Sequence, residues 1–182
     1  NFFPKLGENG LWLFFTAAPI KDHEGNIIAA IETLQDVTER KNAERMISER
    51  EERLELALMG GNLGLWDWNI KTGHVIFDER WAKMLGYELQ EIKPHVDSWK
   101  ELVHPDDLDE VYQKLNDHLE GNSPYYETEH RMLAKDGSWR WILDRGKVTD
   151  RDNRGKPVRA VGTHHDISNS KMADERIRRE RD

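Results

Sequence analysis

The 182-residue sequence contains no cysteine. That absence excludes a disulfide framework, a thiolate zinc site and a cysteine nucleophile, and it suits a reducing compartment such as the cytoplasm. Also missing is any uninterrupted apolar run near the ~20 residues a membrane span requires, and the N-terminus has neither the basic start nor the apolar core of a signal peptide. No membrane contact by this segment is therefore expected; the expected location is cytoplasmic, although a longer parent chain could be membrane-attached elsewhere. Positive charge is in deficit, with 27 Lys and Arg against 35 Asp and Glu. The resulting net charge of −8 argues against phosphate-backbone binding, so nucleic acid is not an expected partner. No glycine-rich phosphate loop of the "GxxxxGK" kind occurs, and no nucleophile–base pair can be argued from spacing. Catalysis within these residues is not expected.

What the sequence does contain is a pattern written twice. "DVTERKNAE" runs from Asp36 to Glu44 and "DISNSKMAD" from Asp166 to Asp174. Each copy has an Asp, a β-branched aliphatic, a hydroxyl residue, two variable positions, a Lys, a variable position, an Ala and an acid. The correspondence extends upstream. Each copy is preceded by a turn dipeptide (Asn9-Gly10 or Asp136-Gly137), an aromatic-rich extended run, a polar turn carrying Gly25 or Gly155, and a β-branched run ending at the Asp. Short runs bounded by Asn-Gly or Asp-Gly signals predict antiparallel strands, because glycine supplies the positive φ of tight hairpins. The repeated unit is thus strand, turn, strand, helix. At its strand-to-helix junction stand Asp36 and Thr38 in one copy and Asp166 and Ser168 in the other. Thr38 and Ser168 are expected to cap the first-turn amides of the helix that follows.

Only the second copy has a large segment before it. "GLWDWN" and "HVIFD" flank Lys71-Thr72-Gly73 as a hairpin, and "ERWAKMLGY" places Trp81, Met84 and Leu85 at helical spacing and stops at Gly86. "VHPDDLDEVYQKLNDHLEG" predicts a longer helix, with Pro105 at its first position, Asp106 and Asp107 at the positive end of its dipole, and Leu108, Val111, Tyr112, Leu115 and Leu119 along one face. "YYETEHRML" then reads as a strand. The length, 182 residues, suits one full domain and part of another, since single cores take about 100–150 residues. A composition of 37% hydrophobic and 34% charged residues fits a folded, soluble chain.

In this order, "GLWDWNIKTG", "WAKMLGY", "VHPDDL", "KDGSWRWI", "DNRGKPVRAVGTHHDIS" and the Lys171 and Ala173 pair resemble the PAS domain together with its C-terminal PAC motif, in the subclass common in bacterial multi-domain sensors. The resemblance implies an α+β fold: a five-stranded antiparallel sheet with short helices on one face, flanked by long connector helices. The expected organisation is a PAC remnant of a preceding PAS domain over residues 1–37, a connector helix over 38–59, a complete PAS/PAC domain over 60–168 and the start of an exit connector over 169–182. The chain is thus expected to begin inside one domain and to end inside a connector.

Between the copies, Thr38 to Met59 lacks Gly and Pro, and Ala43, Ile47, Arg50, Leu54 and Ala57 step by four and three. Two readings stand: an amphipathic helix packed on its own domain, or a coiled-coil connector that pairs with a second chain. Charge runs such as "SEREER" favour the second, and with it a homodimer.

The resemblance also implies a cavity between sheet and helices. Its candidate walls are Trp66, Trp68, Trp81, Met84, Leu85, Val103, Leu108, Val111, Met132 and Trp141, which could equally fill a solid core. Trp66 and Trp68 share one strand face, as do Trp139 and Trp141, and the sequence does not say which face is inward. If tryptophan points in, the cavity is small. No ligand is identified. Cysteine-adduct flavin photochemistry is excluded, and nothing points to haem, since His118 sits among Asn116, Asp117 and Glu120 on what reads as a wet face. No metal site is expected: "HPDD" is satisfied by helix-start chemistry, and His164 and His165 point to opposite faces of a strand.

The functional expectation is a sensory or relay module of a two-component system. It would pass ligand- or dimer-state changes from the cavity through Asp166 and the exit helix to an output domain in the same parent chain. A histidine kinase is expected there, with a diguanylate cyclase or a ligand-free dimerisation scaffold as alternatives.

Overall fold

Aromatic and β-branched residues followed by tight glycine turns give the first strands their form. In the computed structural model, which describes residues 1–181, β1 (Phe2–Phe3), β2 (Leu11–Lys21) and β3 (Ile27–Asp36) form an antiparallel sheet in that order. The β2–β3 turn is organised by Asp22, whose Oδ1 accepts from the backbone N–H groups of Glu24 and Asn26, with Gly25 at φ +90°. A bond from the Asn26 side-chain amide to Oδ2 leads, with these two, in holding the Asp22 carboxyl below its ordinary pKa. The strands are followed by α1 (Thr38–Gly60), a helix of 23 residues. Its ion pairs, including Arg40–Glu44, Arg45–Glu49 and Arg53–Glu49, are exposed. Such exposed, solvent-screened pairs add little to stability. Residues 1–56 form one compact unit, and a second unit begins at Ala57.

The second unit holds a five-stranded antiparallel sheet in the order β5-β4-β8-β7-β6. Its strands are β4 (Leu63–Asn69), β5 (Val75–Phe77), β6 (Tyr126–Leu133), β7 (Trp139–Arg151) and β8 (Pro157–Asp166). Between β5 and β6 the chain forms α2 (Glu79–Met84), α3 (Val96–Leu102) and α4 (Leu108–Leu119), and it closes with α5 (Ser168–Arg179). This is the α+β, sheet-plus-short-helices architecture expected from the sequence. The turn before β8 repeats the device seen before β3: Asp152 Oδ1 accepts from the N–H groups of Arg154 and Lys156, with Gly155 at φ +78°.

Local chemistry sets the helices. Asp78 caps α2 by accepting from Trp81 N, and the same oxygen accepts from Leu65 N, so one carboxylate fixes the helix to β4. Gly64 has no Cβ because one would meet the Trp81 backbone. The predicted longer helix is divided: Pro105–Asp107 make a 3₁₀ turn and α4 begins at Leu108. Asp107 does more than face a helix dipole. It accepts from the backbone N–H of Arg131 and from that residue's guanidinium, tying the turn to β6 and holding the Asp107 carboxyl below its usual range.

Strand alternation sorts the two faces of the sheet. Trp66, Tyr126, Met132, Ile142 and Ala160 are buried on the helix-covered face. Trp139, at 43% exposure, and the half-buried Trp141 lie on the other face.

Candidate functional site

Trp66, Trp68 and Trp81, three of the ten wall residues expected from sequence, line a cavity of about 40 Å³. Its other walls come from Val75 and Phe77 of β5, Val96 and Trp99 of α3, Leu115 of α4, and Tyr126, Asp144 and His164 of the sheet. Met84, Leu85, Val103, Val111 and Met132 belong to the buried core beside it without lining it, and Leu108 packs against that core from a partly exposed position. Trp141 is a correction. It stands on the outer face, where the Arg131 guanidinium and the Lys171 ammonium lie over its ring. The sequence offers it as a candidate wall and leaves the inward face of its strand open; the structure places Ile142 and Asp144 inward.

The cavity borders a buried polar network that the sequence reading did not find. Asp144, 2% exposed, accepts from Trp66 Nε1 at 2.9 Å and pairs with His164 Nε2 at 3.0 Å. Thr128 donates to the Tyr126 hydroxyl at 2.9 Å and lies 3.0 Å from His130 Nδ1. With the Thr128 proton directed at Tyr126, the His130 Nδ1–H donates to Thr128, and Nε2 is left as a bare acceptor. The Tyr126 hydroxyl in turn bonds Asp144, so three side chains meet at this carboxylate and Thr128 and His130 join the network through Tyr126. Burial pushes the Tyr126 hydroxyl well above its ordinary pKa, and the Asp144 charge adds to this. Burial also lowers His130 to about 4, opposed by the Asp144 charge. Two glycines make room: Gly146 and Gly162 face each other across β7 and β8, and a Cβ on either would run into the Trp66 indole. The available signal was the period-two alternation of Tyr126, Thr128, His130 and Met132, which puts two polar residues on an apolar face.

His118 is a second correction. It is 4% exposed, not on a wet face; its Nε2 accepts from Val148 N and its Nδ1 bonds Ser123 O, so both ring nitrogens are engaged.

The strand-to-helix junction is built the same way in both units, but not as expected. Neither hydroxyl caps its helix. Thr38 Oγ1 accepts from Trp12 N at 2.8 Å, and Ser168 Oγ accepts from Trp141 N at 2.9 Å. The carbonyls of the same two tryptophans accept from Val37 N and Ile167 N. Asp36 and Asp166 each accept from the N–H of the hydroxyl residue two positions on. For Asp36 these bonds from Thr38 lower the carboxyl pKa. The hydroxyl is spent on the neighbouring strand because that strand's N–H at Trp12 or Trp141 faces no further strand residue. In the second unit Asp166 also pairs with Arg140 at 3.3 Å, and Lys171 reaches Glu129 of β6. The equivalent Lys41 instead pairs with Glu44 on its own helix at 2.9 Å.

Residues 74–164, half the chain, match the family model described as PAS fold. The chain belongs to the PAS family. A solved PAS-family neighbour, a sensory box histidine kinase/response regulator from Burkholderia thailandensis, is 36% identical with a TM-score of 0.63, over 71% of this chain and 95% of that one. Among curated proteins, the Escherichia coli protein named probable diguanylate cyclase DgcE is 26% identical over 94% of this chain and 15% of its own length. Two-component sensor PprA of Pseudomonas aeruginosa is 27% identical over 91% of this chain and 18% of its own length. The PAS chain thus spans less than a fifth of these curated relatives. No described helix is long and apolar enough to cross a membrane.

Proposed function

We propose that the second unit is the sensory and relay module of a multi-domain signal-transduction protein. In this reading a change at the cavity shifts β7 and β8, and the junction at Asp166 carries the shift into α5. The observation that supports it is the twice-built junction: a strand residue bonded through its N–H to the first residue of the outgoing helix and through its C=O to the residue just before that helix. Such a joint passes backbone displacement in the strand directly to the helix. Residues 1–37 are read as the C-terminal strands of a preceding PAS domain, 38–59 as the connector between the two, 60–168 as a complete PAS/PAC domain and 169–182 as the start of the exit connector.

The output assigned to the parent chain is a histidine kinase, supported by the sensory box histidine kinase/response regulator among the solved relatives. A diguanylate cyclase is the second reading, favoured by the relationship to DgcE. A ligand-free dimerisation scaffold is the third, favoured by a tryptophan-packed interior that leaves about 40 Å³. The test is Asp166→Ala in the full-length parent. Output is expected to lose its response to stimulus while the isolated domain keeps its fold; unchanged basal output and unchanged response would refute the relay. Native mass spectrometry of the purified chain separates sensor from scaffold, since a retained mass lost on denaturation supports the first and a bare dimer the second.

A further inference from the structure

The buried side-chain polar atoms without a hydrogen-bond partner, among the described residues, are Nε1 of Trp68, Trp81 and Trp99 and Nε2 of His130. They are not scattered. The three tryptophans all line the same cavity, and His130 packs edge-on against two of its walls, Trp99 and His164. Buried donors and acceptors are almost always paired in folded proteins, so four unpaired groups around one space point to a guest that pairs them.

The repeat supplies a control. Asp36 faces Leu13 and Asp166 faces Ile142, so the junctions fix equivalent registers in the two sheets. Two residues inward from each, the first unit pairs Phe15 with Leu34 where the second pairs Asp144 with His164. The strand pair therefore forms without a buried carboxylate and imidazole at this position. The polar pair is particular to the second unit, beside its cavity.

From this we infer that the cavity takes a compact uncharged molecule with a hydrogen-bond acceptor at one end and an apolar body, of the short amide or carbonyl class; this rests on the sensory reading above. Three features set that class. About 40 Å³ gives room for a guest of about three to four non-hydrogen atoms, given roughly 10–15 Å³ for one water. The spare groups are three N–H donors against one imidazole acceptor, which favours an acceptor on the guest. The Asp144 carboxylate in the wall repels an anion, which separates an amide from a carboxylate of the same shape. The indole N–H resonances of these three tryptophans report whether a guest pairs them.

The experiment is a titration of the ¹⁵N-labelled full chain with acetamide and, separately, with the isosteric anion acetate at the same ionic strength. The indole N–H signals are read by two-dimensional NMR. Acetamide is expected to shift the Trp68, Trp81 and Trp99 signals saturably while those of Trp12, Trp139 and Trp141 stay in place, and acetate is expected to do at least tenfold less. In Asp144→Asn the preference should narrow or reverse. Equal response to both probes, shifts spread over all seven tryptophans, or no saturable shift with either would overturn the inference in the wild-type chain alone, whether or not the variant folds. A negative result leaves the relay reading to be decided by Asp166→Ala, which does not involve the cavity.

Discussion

Acidification should load a proton onto the unfolded chain at His130 well before it loads one onto the folded chain. The imidazole is 0% exposed and its pKa is lowered to about 4, chiefly by burial. An unfolded histidine titrates near ~6.5. A lowered histidine pKa means the unfolded state binds more protons between the two values, so stability rises with pH across the window from about 4 to ~6.5 and is fully present above it. Taking pH 7 to pH 4.5, the linkage integral gives a loss of about 2 kcal/mol from this one group. For a urea dependence of roughly 2 kcal/mol per molar, that moves the unfolding midpoint down by about 1 M. Tryptophan fluorescence is the suitable probe, because all of the seven tryptophans except Trp12 lie in the second unit. His130→Gln keeps a polar side chain but cannot titrate, and the carboxylates common to both proteins cancel in the difference. The variant should be less stable at pH 7 and should lose less on acidification, so that the two curves converge by pH 4.5. Parallel pH profiles would refute the argument that buried His130 is kept unprotonated.

Gly162→Ala should destabilise the second unit by about 1–3 kcal/mol through overpacking, since the new methyl meets both the Trp66 ring and the Arg145 carbonyl. Equilibrium urea unfolding checks the magnitude, and a red-shifted Trp66 emission would place the disturbance. Leu54→Pro interrupts α1 in its interior, where proline costs ~3 kcal/mol or more. If α1 is the connector through which two copies pair, sedimentation should show weakened self-association; unchanged association would locate the interface elsewhere. Ser168→Ala removes the acceptor for Trp141 N and should cost about 1 kcal/mol, with faster hydrogen exchange at that amide as the direct readout.

The repeat settles much of this protein without any coordinates. Two copies of a strand, turn, strand and helix, each closed by an Asp and a hydroxyl residue, locate the junctions, because turn chemistry is local and read along the chain, while the PAS fold is implied by the resemblance of the ordered motifs. Helix α4 is similarly legible from its spacing, with Val111 and Leu115 buried as the pattern requires. The hydroxyls of Thr38 and Ser168 were harder: their position fits a helix cap, yet a free strand N–H at Trp12 or Trp141 competes for the same oxygen, and only pairing between distant segments supplies that competitor.

The interior was decided by tertiary structure alone. β7 carries apolar side chains on both faces, so hydrophobicity cannot tell Trp141 from Ile142, and one residue of register moves every side chain to the other side. His118 looks solvated among its acidic and amide neighbours, but on a helix those neighbours point elsewhere while its own ring turns inward to Val148 and Ser123. Asp144 meets Trp66, 78 positions away, and His164 only because β4, β7 and β8 bring them to one face. Local order along the chain fixes which elements form. Which polar groups they bury together is fixed by the order in which five strands lie side by side.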